Sequence, residues 1–255
     1  MNNGKISYEY NRIADRKRVD FIARVLENSI SREGRVLDVG CGNGVISRHL
    51  GKLGFNVTGV DVSEKTIEKA RSLTDLPNVV FMKKSAEELV ASGEKYDAIV
   101  CSEVLEHLSD PGALLRVLHA SLADNGKLIV TVPNGNGPRE ALVTKPVLRM
   151  RSKQSGMWRF IVRVKKMLGY EGTTVQSAAD NLDHIQFFSR KDIENLLSAN
   201  RFRVTTFGKA NFVEDVFPFS FFARRIVLLQ RLDCKIADLL PYQCTGGFFT
   251  ASEKV

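Results

Sequence analysis

The sequence predicts a doubly wound α/β fold, on three observations. Short apolar runs ("RVLDVG", "NVTGVD", "NVVFMK", "YDAIVC" and "GKLIVTVP") alternate through the first half with stretches of helical periodicity. The runs are almost continuously apolar, as strands of a parallel sheet covered on both faces are. The glycines of "DVGCGNGV" stand between the first run and the first helical pattern. In a strand–turn–helix unit that position brings backbone close to a nucleotide.

Each element has a local cause. The strand "RVLDVG" leads into a helix over 44–53, and "NVTGVD" (56–61) into a helix whose N-cap is Ser63. "NVVFMK" (78–83) is the third strand, 86–91 a short helix and 96–101 the fourth strand. Asp110–Pro111 opens a helix to about Leu122, with proline near the first helical position, where its missing N–H costs nothing. The fifth strand follows at 126–133. Beyond it, Ser189 caps a helix over 189–200, "RFRVTTFG" (201–208) is a strand, 221–240 an amphipathic helix and 246–254 a final strand. No repeat or low-complexity linker divides the 255 residues, so a single domain over 1–255 is expected.

Composition narrows the class. No run approaches the roughly 20 apolar residues that span a bilayer, and the start "MNNGKISYEYNR" lacks the apolar core of a signal peptide. Cys41, Cys101, Cys234 and Cys244 show no CxxC spacing, which favours reduced thiols in a cytoplasmic protein. The charge of +8 is concentrated: residues 135–180 hold nine Lys/Arg against three acids. That basic insertion leaves the fifth strand at its carboxyl end, where it is placed as a lid. Its stretch "GMWRFIVRVKKMLG" reads as an amphipathic basic helix, suited to packing on the domain, to anionic lipid at the membrane's inner face, or to an acidic acceptor. A second cap is expected over 209–245.

The glycine turn departs from the dinucleotide-binding pattern G-x-G-x-x-G, because its third glycine is missing: Val45 or Ser47 stands there. Asp38 precedes Gly40, Gly42 and Gly44, and a carboxylate there repels a pyrophosphate but suits an ammonium group. A nicotinamide oxidoreductase is therefore disfavoured.

"VLDVGCGNG" followed by "VTGVDVS" closely resembles the first two motifs of class I S-adenosylmethionine-dependent methyltransferases. The resemblance implies their Rossmann-like, mostly parallel seven-stranded sheet. It also implies that Gly40, Gly42 and Asn43 lie under the amino-acid part of the cofactor, with Asp38 near its ammonium. Asp61 then binds both ribose hydroxyls beside Val62, while Ser85, Ala86 and Glu87 border the adenine and Ser102 touches the cofactor. Arg18 resembles an arginine that contacts the cofactor carboxylate.

"CSEVLEHLSDP" looks like the ubiquinone-biosynthesis O-methyltransferases and the bacterial small-molecule methyltransferases around them. If this segment is helical, Glu103, Glu106 and His107 share a face, an oxygen-rich set for Mg²⁺. The resemblance implies such a metal use, which would lower the pKa of an acceptor hydroxyl; a free phenol titrates near ~10. The plain alternative is a pair of surface acids near a helix N-terminus. His107 and His184 are both candidate bases, and Phe187–Phe188 are expected to line the substrate side.

The sequence reading is thus O-methylation of a small-molecule, glycan or lipid-like acceptor. A quinone-pathway enzyme at a membrane surface is one alternative, and a non-catalytic cofactor-binding scaffold another. The long C-terminal end resembles that of methyltransferases in bacterial glycan pathways and sets the chain apart from the ubiquinone enzymes. Nucleic acid ranks low as a partner: "SEVLEH" is not the Asn/Asp-Pro-Pro-aromatic run of base-amine methylation, and no RNA-binding module is recognisable.

Overall fold

A computed structural model of the chain describes residues 8–91, 93–144, 185–216, 219–223 and 225–255. Most of the basic insertion, with His184, lies outside the described residues.

The elements follow in the expected order: α1 (Ile13–Ser29), β1 (Arg35–Val39), α2 (Val45–Lys52), β2 (Asn56–Asp61), α3 (Glu64–Ser72) and β3 (Val79–Lys83). Then come α4 (Ala86–Ala91), β4 (Tyr96–Ser102), α5 (Pro111–Ser121), β5 (Leu122–Pro133) and α6 (Arg190–Ala199). The chain closes with β6 (Phe202–Lys209), α7 (Phe219–Ala223), α8 (Val227–Leu239) and β7 (Gly247–Lys254). The strands form one seven-stranded sheet in the order β3-β2-β1-β4-β5-β7-β6. β1 to β5 run parallel, and β7 runs antiparallel between β5 and β6. Strand order reverses between β1 and β4, so the turns leaving them diverge and open a crevice.

Period-two side-chain alternation gives the sheet two apolar faces. Leu37, Ile99, Cys101, Leu128 and Val130 point to one side, against Leu115 and Leu118 of α5 and Ile193 and Leu197 of α6. Val36, Val57, Ala98, Val100 and Ile129 point to the other, against Val19, Ile22 and Leu26 of α1 and Leu50 of α2. Each such side chain, fully buried, contributes roughly 1.5–3 kcal/mol relative to exposure. The caps form where the sequence places them. Ser63 accepts from the Thr66 N–H, Asp110 from the Ala113 N–H, and Ser189 closes a reciprocal box with Asp192.

Three boundaries differ. β5 begins at Leu122 rather than 126, because Leu122 pairs with Tyr96 across a register break before Lys127 meets Ala98. The helix expected over 221–240 is two helices, α7 and α8, with Ile226 extended before the second. The break lets the Gln230 side chain donate to the Ala223 carbonyl and accept from the Ile13 N–H, both at 3.0 Å. The segment after β4 is not an α-helical face: only Leu105–His107 is helical, as a single 3₁₀ turn. Among the described residues no helix is long and apolar enough to cross a membrane.

Candidate active site

The crevice is built first by glycine. Gly40 leaves β1 at φ 67°, and a Cβ there would stand 2.4 Å from Val104 Cγ2, so only glycine lets the two diverging turns meet. Gly42, at φ 53°, is the opposite case: a Cβ would meet nothing within 4 Å. Its open side is space for a ligand. The loop is held from below, where the Gly40 and Cys41 N–H groups donate to the Val60 carbonyl at 2.8 and 3.0 Å.

Asp61 ends β2 facing this loop. One carboxylate oxygen accepts from the Gly42 N–H at 3.1 Å and the other from the Ser63 N–H at 2.9 Å. Each oxygen keeps a further acceptor position for adjacent hydroxyls. Beside it, Val62 is 71% exposed, an apolar side chain with a free face at the crevice rim. Ser85 accepts from the Glu88 N–H while the Glu88 carboxylate takes the Ser85 N–H, a capping box for α4. The hydroxyl expected at the adenine is thus engaged as a cap, and Ala86 and Glu87 form the first turn of that helix.

Asp38 is buried beneath the loop, where the Ser47 hydroxyl donates to it at 2.5 Å. Burial pushes its pKa up to about 7; the Ser47 bond opposes this and the charge of Asp61 adds to it. An ammonium brought alongside would favour the ionised form.

Arg18, on α1, lies between Asp15 at 3.2 Å and Glu103 at 3.4 Å, with its guanidinium 5.8 Å from the Tyr10 ring centroid. Its Nε has no hydrogen-bond partner.

The acids after β4 do not form the expected face. Glu103 adopts φ 58°, in the left-handed region that costs a non-glycine residue roughly 1–2 kcal/mol. Its N–H donates to the Thr131 carbonyl at 2.9 Å, and its carboxylate accepts from the Thr131 hydroxyl at 3.0 Å. Thr131 also pairs with the Ser102 hydroxyl at 2.8 Å. Glu103 is therefore committed to β5 and Arg18, while Glu106 is 1% exposed with both carboxylate oxygens unpartnered. Burial, reinforced by Glu103, pushes the Glu106 pKa up to about 9. His107 Nε2 stands 3.8 Å from Glu106. Among the described residues no three His, Cys, Asp or Glu side chains converge as a metal site. The left-handed step at Glu103 is the physical reason: it turns this carboxylate from the side on which an α-helix would have aligned it. Glu103, Glu106 and His107 as arranged do not fit a resident Mg²⁺, and no step is derived through one.

The segments after β4 and β5 are tied down by distant chain. The Ile185 and Gln186 N–H groups donate to the Glu106 carbonyl at 2.8 and 2.9 Å, and the Gly135 N–H donates to the Phe188 carbonyl at 2.8 Å. Ile185 and Phe187 remain exposed, as does Leu142 in the π-helical turn Glu140–Thr144 after β5. Phe188, expected beside the acceptor, is instead a buried core residue packed with the α6 layer. Asn134 fixes the end of β5 by donating to the Thr245 carbonyl at 2.7 Å.

Sequence reasoning missed Thr131, whose only signal is a hydroxyl inside an apolar strand. It also missed Arg48, buried on α2, which donates to the Asn43 carbonyl at 2.6 Å and pairs with Glu9 at 2.5 Å. An arginine four residues beyond Gly44 looks like ordinary helix surface until the N-terminal segment folds over it.

Comparison with known proteins bears on this geometry. A family model described as "Methyltransferase domain" matches residues 10–206. A ubiquinone biosynthesis O-methyltransferase of Coxiella burnetii is 36% identical over 116 residues, 44% of this chain and 50% of that protein. One from Caulobacter sp. is 40% identical over 103 residues, 39% of this chain and 41% of that protein. The chain thus spans about half the length of the curated relatives it matches. Among solved structures, magnesium protoporphyrin IX methyltransferase of Synechocystis with bound SAH superposes with TM-score 0.57 at 19% identity, covering 95% of this chain and 84% of that one. The 1,6-didemethyltoxoflavin-N1-methyltransferase of Burkholderia thailandensis, with S-adenosylhomocysteine, gives TM-score 0.58 at 18% identity over 96% and 80%. At those identities the likeness is one of fold.

Proposed function

The chain belongs to the family of methyltransferase domains, and on that premise we propose that it transfers the methyl of S-adenosylmethionine to an acceptor oxygen. One observation carries the cofactor half of this reading: Asp61, held by the Gly42 and Ser63 N–H groups, beside the open side of Gly42. A carboxylate so fixed suits two neighbouring ribose hydroxyls, and Val62 suits the adjoining adenine. In this reading Asp38, buried beneath the glycine turn, takes the cofactor's ammonium and Arg18 its carboxylate. The bound cofactor supplies a sulfonium methyl that is already strongly electrophilic, so proximity and alignment are the protein's main contribution.

The protein's other contribution is to expose an oxygen lone pair. His107 is the base of this reading, standing after β4 in the turn Leu105–His107. The exposed apolar side chains of Ile185, whose N–H bonds the Glu106 carbonyl, and of Phe187 favour an acceptor with an apolar or aromatic body. The relatives named for ubiquinone biosynthesis support a phenolic hydroxyl; a glycan or other lipid-like acceptor is the wider class.

The test is transfer of labelled methyl from S-adenosylmethionine into a metabolite extract split into lipid and aqueous phases. Label in the lipid phase supports a lipid-like or quinone acceptor, and label in the aqueous phase a soluble or glycan one. Calorimetry showing tight cofactor binding with no label in either phase would overturn the catalytic reading in favour of a cofactor-binding scaffold.

A further inference from the structure

The helix α8 is amphipathic in the reverse sense. Its inner face, packed on the domain, is largely polar: Gln230 bonds the Ile13 N–H, and the Asp233 carboxylate accepts from the Phe212 and Val213 N–H groups at 2.8 and 2.9 Å. Cys234 and Ala237 complete it. The outer face carries a leucine stripe, with Leu228 73% exposed, Leu232 half-exposed and Leu239 87% exposed. Phe222 of α7 is exposed beside it. A surface helix normally turns its apolar stripe to the core, so an apolar stripe turned outward marks a binding surface.

The charges around the stripe are mostly positive. Arg225, Arg231 and Lys235 are exposed among the apolar residues, with the Arg225 guanidinium stacked 4.2 Å from the Phe221 ring centroid. The acid on this face, Asp238, is paired with Lys17 at 2.6 Å. Two copies meeting on this face would bring cations close to cations, which disfavours self-association. Leucines and phenylalanines bracketed by cations are instead the two signals that together hold a helix in the interface of an acidic bilayer.

We infer that the outer face of α7 and α8 docks the protein peripherally on anionic lipid. These residues lie outside the basic stretch 135–180 in the sequence, and the inference stands whether or not the acceptor is a lipid. The inner polar contacts tie α8 to α1, the helix that carries Arg18, so docking would hold the crevice at a fixed orientation to the bilayer.

Co-sedimentation with phosphatidylcholine vesicles containing about one third phosphatidylglycerol, against pure phosphatidylcholine, tests this. The expected result is binding to the anionic vesicles that is lost in Leu228→Glu/Leu232→Glu. It should weaken about 30-fold in Arg231→Gln/Lys235→Gln, at roughly fivefold per cation. Both double variants alter exposed side chains and should keep the parent's circular dichroism and S-adenosylmethionine affinity. Failure here with normal cofactor binding would therefore strike the docking surface and leave methyl transfer intact. Binding that is equal in parent and variants, or absent altogether, overturns the inference. So does a dimer in light scattering that Leu228→Glu/Leu232→Glu dissociates, which would make a second copy the occupant.

Discussion

The two halves of the crevice are built in different ways. On the cofactor side, Asp38, the glycine turn, Asp61 and Ser63 lie within 26 consecutive positions, and their bonds run between adjacent turns of neighbouring strands. On the proposed acceptor side, the ties that join its segments are long-range: Glu103 to Thr131, Glu106 to Ile185 and Gln186, Asn134 to Thr245. A locally encoded half can be carried between proteins as a motif. A half assembled from distant segments changes whenever any one of them changes, and that is where relatives of one fold diverge in substrate.

The comparison breaks or sharpens by substitution on each side. The largest effect is expected on the acceptor side. His107→Ala should lower kcat by about 100-fold or more, the scale of a lost general base, with S-adenosylmethionine affinity within a factor of two. An unchanged kcat would remove His107 from the chemistry. On the cofactor side, Asp61→Ala should weaken cofactor binding about 100-fold in calorimetry, two charge-assisted hydrogen bonds being lost. Near-normal affinity would count heavily against the assignment of this loop.

A smaller effect links the cofactor side to pH. With its pKa near 7, Asp38 is mostly protonated at pH 6 and ionised at pH 8. Cofactor affinity should therefore rise about tenfold across that interval, and Asp38→Asn should flatten the rise. The same group makes the ligand-free protein less stable as pH climbs. Its folded pKa exceeds the ordinary carboxylate value, so the stability it contributes in acid is lost on passing through pH 7. The Tm of the Asp38→Asn variant should show less of that decline.

The smallest effect sits at the seam of the two halves. Glu103→Gly relieves the left-handed backbone but removes the carboxylate's ties to Thr131 and Arg18, so Tm should change little, while cofactor affinity falls several-fold because Arg18 loses its partner. A fall in Tm with unchanged affinity would mean that Glu103 serves only the fold.

Legibility in the sequence follows the same line. The strands were readable because burial on both faces leaves them apolar, and the helices because Ser63, Asp110 and Ser189 cap their own first turns. The sequence leaves the segment 103–107 open between a helical face and a turn, because its spacing, E-x-x-E-H, is compatible with a helix. What overrides that spacing is a partner 28 positions away, Thr131, which captures both the N–H and the carboxylate of Glu103. Phe188 was misjudged for a related reason: adjacent aromatics give no sign of which one turns inward.

By itself, then, the sequence determined the α/β order of elements, the glycine turn and the acid that ends β2. These depend on local dihedral preference and on periodicity, which are written in neighbouring residues. Tertiary structure alone decided that Glu103 belongs to Arg18 and Thr131, that Glu106 is buried without a partner, and that α8 turns its leucines outward. Those outcomes depend on which surfaces the folded sheet brings together, and a linear pattern does not carry that information.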